Sequence, residues 1–497
     1  MLEHEDLDPA AMSRNNEVMF PLLIKGGHII DPCRGVSEKG NLLIVGSKIV
    51  SLQTGKEEKP PFSSLPGRMM ILDAAGLIVC PGFVDLHCHL REPGFEEKET
   101  IATGTQAAAK GGFTTVCCMA NTNPPLDSPV NVSWVKEKAA REGSVTVLPI
   151  GCISEGRKGV NLSDMVALAK AGVIGFSDDG HPVTNAELMR LAMIRAREVG
   201  LLVIDHCEDR AISANGVMND GNLCKKLGLK GIPSAAEEVM VFRDLVLARQ
   251  TGARVHIAHV STKRSVEFIR VAKEEGIAVT AEVTPHHLTL TEQRVIGEIP
   301  ESFASKEERN ARGAVNNSLT LDTDAKVNPP LRAPDDIEAL IQALKEGVID
   351  AVATDHAPHT LADKRCEFHL AAFGISGLET AFGCLMSLVH SRRIGLTTLL
   401  SKLTHEPAKI LGKESELGTL KPGAPANIIL FDPNEEWAVD RRNFLSKGKN
   451  TPYHGCKFKG KIKATIANGR IVYLDEGTRV RLVTHSRHWQ DNRNVYA

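Results

Sequence analysis

The sequence predicts an α/β protein: a (β/α)8 barrel of the TIM type with a small flanking β-domain built from both chain ends. Three observations carry that prediction. The chain has 497 residues, short β-branched apolar runs alternate with amphipathic helical stretches from about residue 77 onward, and the two terminal regions read as strands alone. Such a length calls for one large barrel with additions, or for two to three smaller domains. The alternation is the signature of repeated βα units.

Eight runs are candidate strands: 77–90, 114–120, 145–154, 173–178, 201–208, 254–261, 277–284 and 350–356. Between them, 185–200, 234–252 and 263–276 carry apolar residues at three-to-four spacing with a glycine at or near the C-terminal end, as helices do. Ser234 followed by Glu237 fits a capping box. Eight parallel strands favour a closed barrel, because an open sheet of that width has edges to protect. A doubly wound sheet is the alternative, weakened by the lack of a GxGxxG turn after the first strand. Segments 20–31, 41–53 and 68–74, with 426–432, 462–474 and 478–483, read as short strands with turns. Neither set can bury a core alone, so the two are expected to pair into one discontinuous domain. The expected division is 1–74 and 415–497 for that domain and 75–414 for the barrel. Residues 55–67 and 305–326 read as surface loops, and the first eighteen and last dozen as poorly ordered tails.

Composition narrows the function. Hydrophobic residues make up 42% and charged residues 24%, which is the globular range, and no apolar run is long enough to span a membrane. With 59 Lys and Arg against 61 Asp and Glu, the net charge of −2 offers no bulk attraction for nucleic acid or an anionic membrane. An aromatic content of 4% offers no stacking platform for single strands. The eleven cysteines are scattered without a CxxC, and the N-terminus is acidic and polar, unlike a signal peptide. Both fit reduced thiols and a cytoplasmic location. The 18 histidines are the excess that needs explaining.

In a βα barrel the working residues stand at the C-terminal ends of the strands. Strand one ends Asp85-Leu86-His87-Cys88-His89, and alternation points His87 and His89 to the same side, where they could chelate one metal ion, while Cys88 faces away. Four further strand ends add Ser177-Asp178-Asp179-Gly180, Asp205-His206, His259 and Thr354-Asp355-His356. Imidazole nitrogen and carboxylate oxygen suit zinc or a similar divalent ion, and carboxylates that bridge two ions are common in hydrolytic two-metal sites. Arg91 shares the side of His89 by strand parity, and its planar fork suits a carboxylate. A packed HxH, a structural carboxylate at Asp355 and a surface ion pair at Arg91 are the bland readings, which the convergence of five strand ends outweighs. His256 is out of phase with His259 and His181 lies in a loop, so both read as ordinary side chains. His286 and His287 suit a structural role.

These residues sit in longer motifs. PGFVDLHCHLREPG (81–94) and ATDHAPH (353–359) resemble the two signatures of the dihydroorotase family, in its bacterial stand-alone class I form, within the amidohydrolase superfamily. MANTNP (119–124), FSDDG (176–180), DHCED (205–209), HVSTK (259–263), KVNPPLR (326–332), FGISGLET (373–380) and LSKGKNTP (445–452) agree, and the similarity runs from about residue 22 to 475. The resemblance implies reversible hydrolysis of (S)-dihydroorotate to N-carbamoyl-L-aspartate in de novo pyrimidine biosynthesis, at a site with two zinc ions per subunit, or one. His87 and His89 would hold one ion and His206 and His259 the other. Asp179 would bridge where most of the superfamily has a carboxylated lysine, with Asp178 as the alternative ligand. Asp355 would meet the metal and act as general base, passing its proton to the leaving nitrogen. The substrate carboxylate would meet Arg91, Asn121 and His359 beside His89, and the ring amides would meet Asn328 and the Phe373-Gly374 backbone. The family further implies a homo-oligomer, a dimer, and in some members a complex with aspartate transcarbamoylase. Ala120 and Asn427 depart from the family pattern at places where a small loop adjustment and a site remote from the chemistry are expected. Two other readings stay open: an allantoinase or dihydropyrimidinase, which would typically carry the lysine and lack the Arg91, Asn121 and His359 set, and a catalytically silent barrel scaffold.

Overall fold

The computed structural model describes residues 4–6, 20–55, 67–303 and 321–485. Eight parallel strands form the barrel: β1 (Phe83–Cys88), β2 (Phe113–Cys118), β3 (Thr146–Pro149), β4 (Gly175–Phe176), β5 (Leu202–Asp205), β6 (Val255–Ile257), β7 (Val279–Val283) and β8 (Ala351–Val352). β1, β2 and β3 pair in parallel, and so do β4 through β8. Two single parallel bridges, Gly151 to Phe176 and Cys88 to His356, join these groups into a ring. The barrel reading therefore stands and the open doubly wound sheet does not.

The strands are shorter than the apolar runs that encode them, and the first run divides. Ile78–Pro81 pairs antiparallel with Ile428–Ala438 in the flanking sheet, and only Phe83–Cys88 enters the barrel. Gly82 marks the crossing, packed so tightly on the Thr114 side chain that a Cβ there would collide with it.

Among the described residues, the flanking sheet has ten strands, drawn from both chain ends. Ile428–Phe431 shows how it is fastened. Ile428 and Leu430 face the sheet's own core with Leu22, Ile24, Leu42 and Val79. Ile429 and Phe431 face the barrel core, where Phe431 meets Phe382, which in turn meets Phe83 of β1. Four successive residues are thus fully buried on two faces, each such side chain contributing about 1.5–3 kcal/mol. Two of the runs read as short strands with turns are hairpins. The run 41–53 turns at Gly46-Ser47 between Val36–Val45 and Lys48–Thr54, and the run 462–474 turns at Asn468-Gly469 between Lys457–Ala467 and Arg470–Leu474. Asn468 and Gly469 both have positive φ, as a two-residue hairpin turn requires.

Helices Ala186–Glu198, Ala235–Thr251 and Lys263–Glu274 match the expected stretches. The capping box at Ser234 is absent: Ser234 makes no side-chain cap, and the buried Glu237 instead accepts from the backbone of Ser261 and Thr262. Between β5 and the helix at 235 the chain inserts two short helices and two two-residue strands that the sequence pattern did not signal. Of the expected tails and loops, most of 1–18, 55–67 and 305–326, and all of the last dozen residues, lie outside the described residues. Within them, His4–Asp6 pairs with Arg481–Val483, and Thr323–Ala325 forms a 3-10 turn. No described helix is long and apolar enough to cross a membrane.

Candidate metal centre

The C-terminal ends of the strands bring His87, His89, Asp179, His206, His259 and Asp355 together. His87 Nε2 lies 3.5 Å from Oδ1 of both Asp179 and Asp355. His89 Nε2 lies 3.0 Å from Asp355 Oδ1 and 3.6 Å from Asp179 Oδ2. On the opposite side Asp179 Oδ1 is 3.4 Å from His206 Nδ1 and 3.7 Å from His259 Nε2, and those two nitrogens are 2.9 Å apart. Asp178 points elsewhere, accepting from the backbone nitrogens of Ile153 and Ser154, so the aspartate facing the histidines is Asp179. His259 and Asp355 adopt positive φ of 33° and 45°. Strain of this kind, about 1–3 kcal/mol each, persists where surrounding structure imposes it and clusters at working sites.

The outer nitrogens are held as firmly as the inner ones converge. His87 Nδ1 is 3.0 Å from Glu282 Oε1, and Glu282 Oε2 is 3.2 Å from His256 Nε2. His89 Nδ1 is 3.0 Å from Asn121 Oδ1, and His206 Nε2 is 3.2 Å from Glu208 Oε2. Supports of this type fix a ligand's tautomer and ring plane. His256, expected to be an ordinary side chain, belongs to the His87 support. Asp85 ties β1 to β8, accepting from Thr354 N at 2.8 Å and Thr354 Oγ1 at 2.6 Å.

The charges are uneven. Burial works to raise Asp179, yet His87 and the nitrogens of His206 and His259 hold its carboxyl well below the usual range. Asp355 is also held low: burial opposes, and His87 and His89 prevail. His206 is lifted to about 10 against burial, by Asp179 and Glu208, while Glu208 and Glu282 fall to about 2 against burial through their histidine partners.

The donor chemistry fits a divalent metal. His87, His89 and Asp179 form one triad of nitrogen and oxygen donors, and Asp179, His206 and His259 a second that shares the aspartate. The His87 Nε2 atom is buried without a hydrogen-bond partner while aimed at both aspartates. Imidazole and carboxylate suit zinc and its neighbours.

Above the triads lies a cavity of about 440 Å³ lined by His89, Arg91, Asn121, Glu208, Asn328, Asp355, His359, Phe373 and Gly374 among others. Arg91 arrives there by a different route from the one strand parity suggests. β1 ends at Cys88, and Arg91 sits in a loop with φ of 62°. Its Nε donates to Pro358 O at 3.3 Å. His359 Nε2 is 2.9 Å from Phe373 O and 3.4 Å from Arg91 Nη2; the shorter contact makes it a donor to the carbonyl and leaves the guanidinium edge for an anion. Burial, then the Arg91 charge, draws His359 down to about 3, so its imidazole is neutral. Asn450, in the LSKGKNTP motif, pins this region: its Nδ2 donates to Ala357 O and Gly374 O, and its Oδ1 accepts from His359 N. His287 is structural, bonded to Thr284 Oγ1 and Pro329 O, and His181 pairs with Arg157. Cys88 donates to Cys117 O, away from the cluster. Glu208, Glu282 and Asn450 carried no sequence assignment; the available signal was an acid set in the buried run of β7 and a second acid beside His206.

A parallel eight-stranded barrel whose strand ends present two donor triads around one shared aspartate has the architecture of a metal-dependent hydrolase. Residues 76–265 match the family model described as dihydro-orotase-like, and residues 308–473 match that of the amidohydrolase family. Dihydroorotases from Caldanaerobacter subterraneus subsp. tengcongensis (49% identical, covering 91% of this chain and 97% of the relative) and Thermoanaerobacter sp. strain X514 (52%, 81% and 88%) are similar along nearly the whole sequence. The chain belongs to the dihydroorotase family. Among solved structures it resembles the L-hydantoinase of Arthrobacter aurescens (TM-score 0.77, 23% identity, covering 91% of this chain and 96% of that one) and the dihydropyrimidinase of Brevibacillus agri NCHU1002 (0.73, 22%, 91% and 95%), which speaks to the fold alone.

Proposed function

We propose that the protein catalyses the reversible hydrolysis of (S)-dihydroorotate to N-carbamoyl-L-aspartate, with ring closure serving de novo pyrimidine biosynthesis. The observation that carries this reading is the placement of Asp355: its Oδ1 lies within 3.0–3.5 Å of His89 and His87, on a cavity also lined by Arg91, Asn121 and His359. Zinc is the proposed ion, two per chain: His87, His89 and Asp179 would hold one, and Asp179, His206 and His259 the other. A divalent ion bound there supplies Lewis acidity, making water a better nucleophile and polarising a carbonyl.

The chain's own residues do the rest. Arg91 grips the substrate carboxylate with its free guanidinium edge. Asn121, whose Oδ1 accepts from His89, adds an N–H from Nδ2. Asn328 and the Phe373-Gly374 backbone meet the ring amides. Asp355, held ionised, accepts the proton lost by the attacking water and returns it to the leaving ring nitrogen; in ring closure it enters protonated and the sequence reverses. A protein of net charge −2 can thus hold an anion, because one local set of donors meets it.

The test is a single preparation on which bound zinc is counted and interconversion of dihydroorotate and carbamoyl aspartate is measured beside hydantoin, allantoin and dihydrouracil. Zinc-replete protein inactive on the first pair would overturn the proposal. A homodimer, association with aspartate transcarbamoylase and a cytoplasmic location complete the reading; light scattering of the protein alone and mixed with that partner tests the first two.

A further inference from the structure

Resting on the reading above, we infer that Glu208 is the positioning residue that sets this pocket's specificity: it fixes which end of the Asn328 amide faces the substrate, so that the pocket reads a ring N–H. Glu208 Oε2 accepts from Asn328 Nδ2 at 3.1 Å, and the same oxygen lies 3.2 Å from His206 Nε2. A carboxylate only accepts, so the Asn328 amide cannot turn over. One N–H of its Nδ2 is committed to Glu208, and the carbonyl oxygen at the other end of the amide is left to offer. Asn121 is locked in the opposite sense, its Oδ1 taken by His89 Nδ1, while its Nδ2 gives one N–H to Asp179 Oδ2 at 3.4 Å and keeps the other to donate. The cavity therefore displays a donor amide in the company of Arg91 and an acceptor amide backed by Glu208.

That polarity suits a cyclic amide with a carboxylate at one end and an N–H at the other, held in one orientation. An acid lining a pocket for an anion would otherwise be an obstacle. Here its charge repels a carboxylate that enters reversed, and its hydrogen bonds are made to the protein rather than to the ligand. The same oxygen also keeps the His206 Nε2 proton outward, leaving Nδ1 for the triad. One side chain thus links the metal side of the site to the ring-recognition side.

The test is steady-state kinetics on dihydroorotate with bound metal counted, for the holoenzyme, Glu208→Gln, Asn328→Ala and the double variant. The Gln amide keeps one accepting oxygen but loses the charge, so the hydrogen bonds from Asn328 Nδ2 and His206 Nε2 both weaken. Glu208→Gln is expected to raise KM about 10-fold, with the larger part of the loss in KM rather than kcat, and to keep its metal. In the Asn328→Ala background the same change is expected to raise KM no further. A KM within twofold of the starting enzyme for Glu208→Gln, or KM effects that multiply in the double variant, would overturn the inference. So would loss of metal with KM unchanged, because Glu208 would then serve His206 alone. Should Glu208→Gln fail to fold, ring N-methylated dihydroorotates decide: the holoenzyme is expected to bind at least one of them about 10-fold more weakly than dihydroorotate, and Asn328→Ala to lose that preference. Unchanged preference in Asn328→Ala sinks the idea. A holoenzyme inactive on dihydroorotate would instead defeat the underlying function.

Discussion

Asp355 and Glu282 both touch His87, yet they serve different ends, and substitution separates them. Asp355→Asn keeps the shape and removes the proton acceptor, so bound metal is expected to persist while kcat falls by about 100-fold or more. A near-normal rate in that variant would remove the general-base role. Glu282→Gln leaves the reacting atoms alone and loosens the ring plane of His87, a partner 195 residues distant in sequence. Metal affinity is expected to fall about 10- to 100-fold, read by competition with a chromogenic chelator. At this scale the sequence shows the donors plainly, because HxH, DDG, DH and TDH stand at strand ends where alternation gives their direction. It hides Glu282, Glu208 and Asn450, whose value lies in contacts between segments far apart in the chain. Arg91 is an instructive middle case: its type is readable, but its path to the cavity depends on a loop with positive φ that strand parity does not describe.

Among the elements, the helix starts at 234 and 262 make a paired experiment. Ser234 has the right residue type and makes no cap, whereas Thr262 accepts from Ser265 N and also bonds Glu237. Ser234→Ala is expected to cost less than about 0.5 kcal/mol and Thr262→Ala about 1–2 kcal/mol in urea denaturation. Equal losses would contradict the assignment. The existence and type of the long elements are legible because burial imposes their periodicity. The split of the first run at Gly82 is not seen from periodicity, since the apolar run continues on both sides of it. Asn468-Gly469, by contrast, announces itself by residue type.

For the molecule as a whole, buried lysines shape the response to alkali. Lys364 is buried with its Nζ donating to Ala372 O, and burial draws its pKa from 10.5 down to about 8. A folded-state value below the unfolded one means that the unfolded chain binds the extra proton. This group's contribution is therefore present above the unfolded value and is lost as pH falls through about 8. Between pH 7 and 10 wild-type protein is expected to gain, from Lys364, on the order of 2 kcal/mol relative to Lys364→Met. Parallel stability profiles for the two proteins would refute this.

Two single bridges join the two groups of barrel strands, and one of them, Cys88 to His356, lies inside the donor cluster: Cys88 sits between His87 and His89, and His356 follows Asp355. Whatever grips those side chains acts as a rivet through the joint where the first stave meets the last. Stripping the ion with a chelator is then expected to speed amide exchange around Cys88 and His356 before the outer helices respond, so that loss of catalysis and slackening of the barrel begin at the same seam.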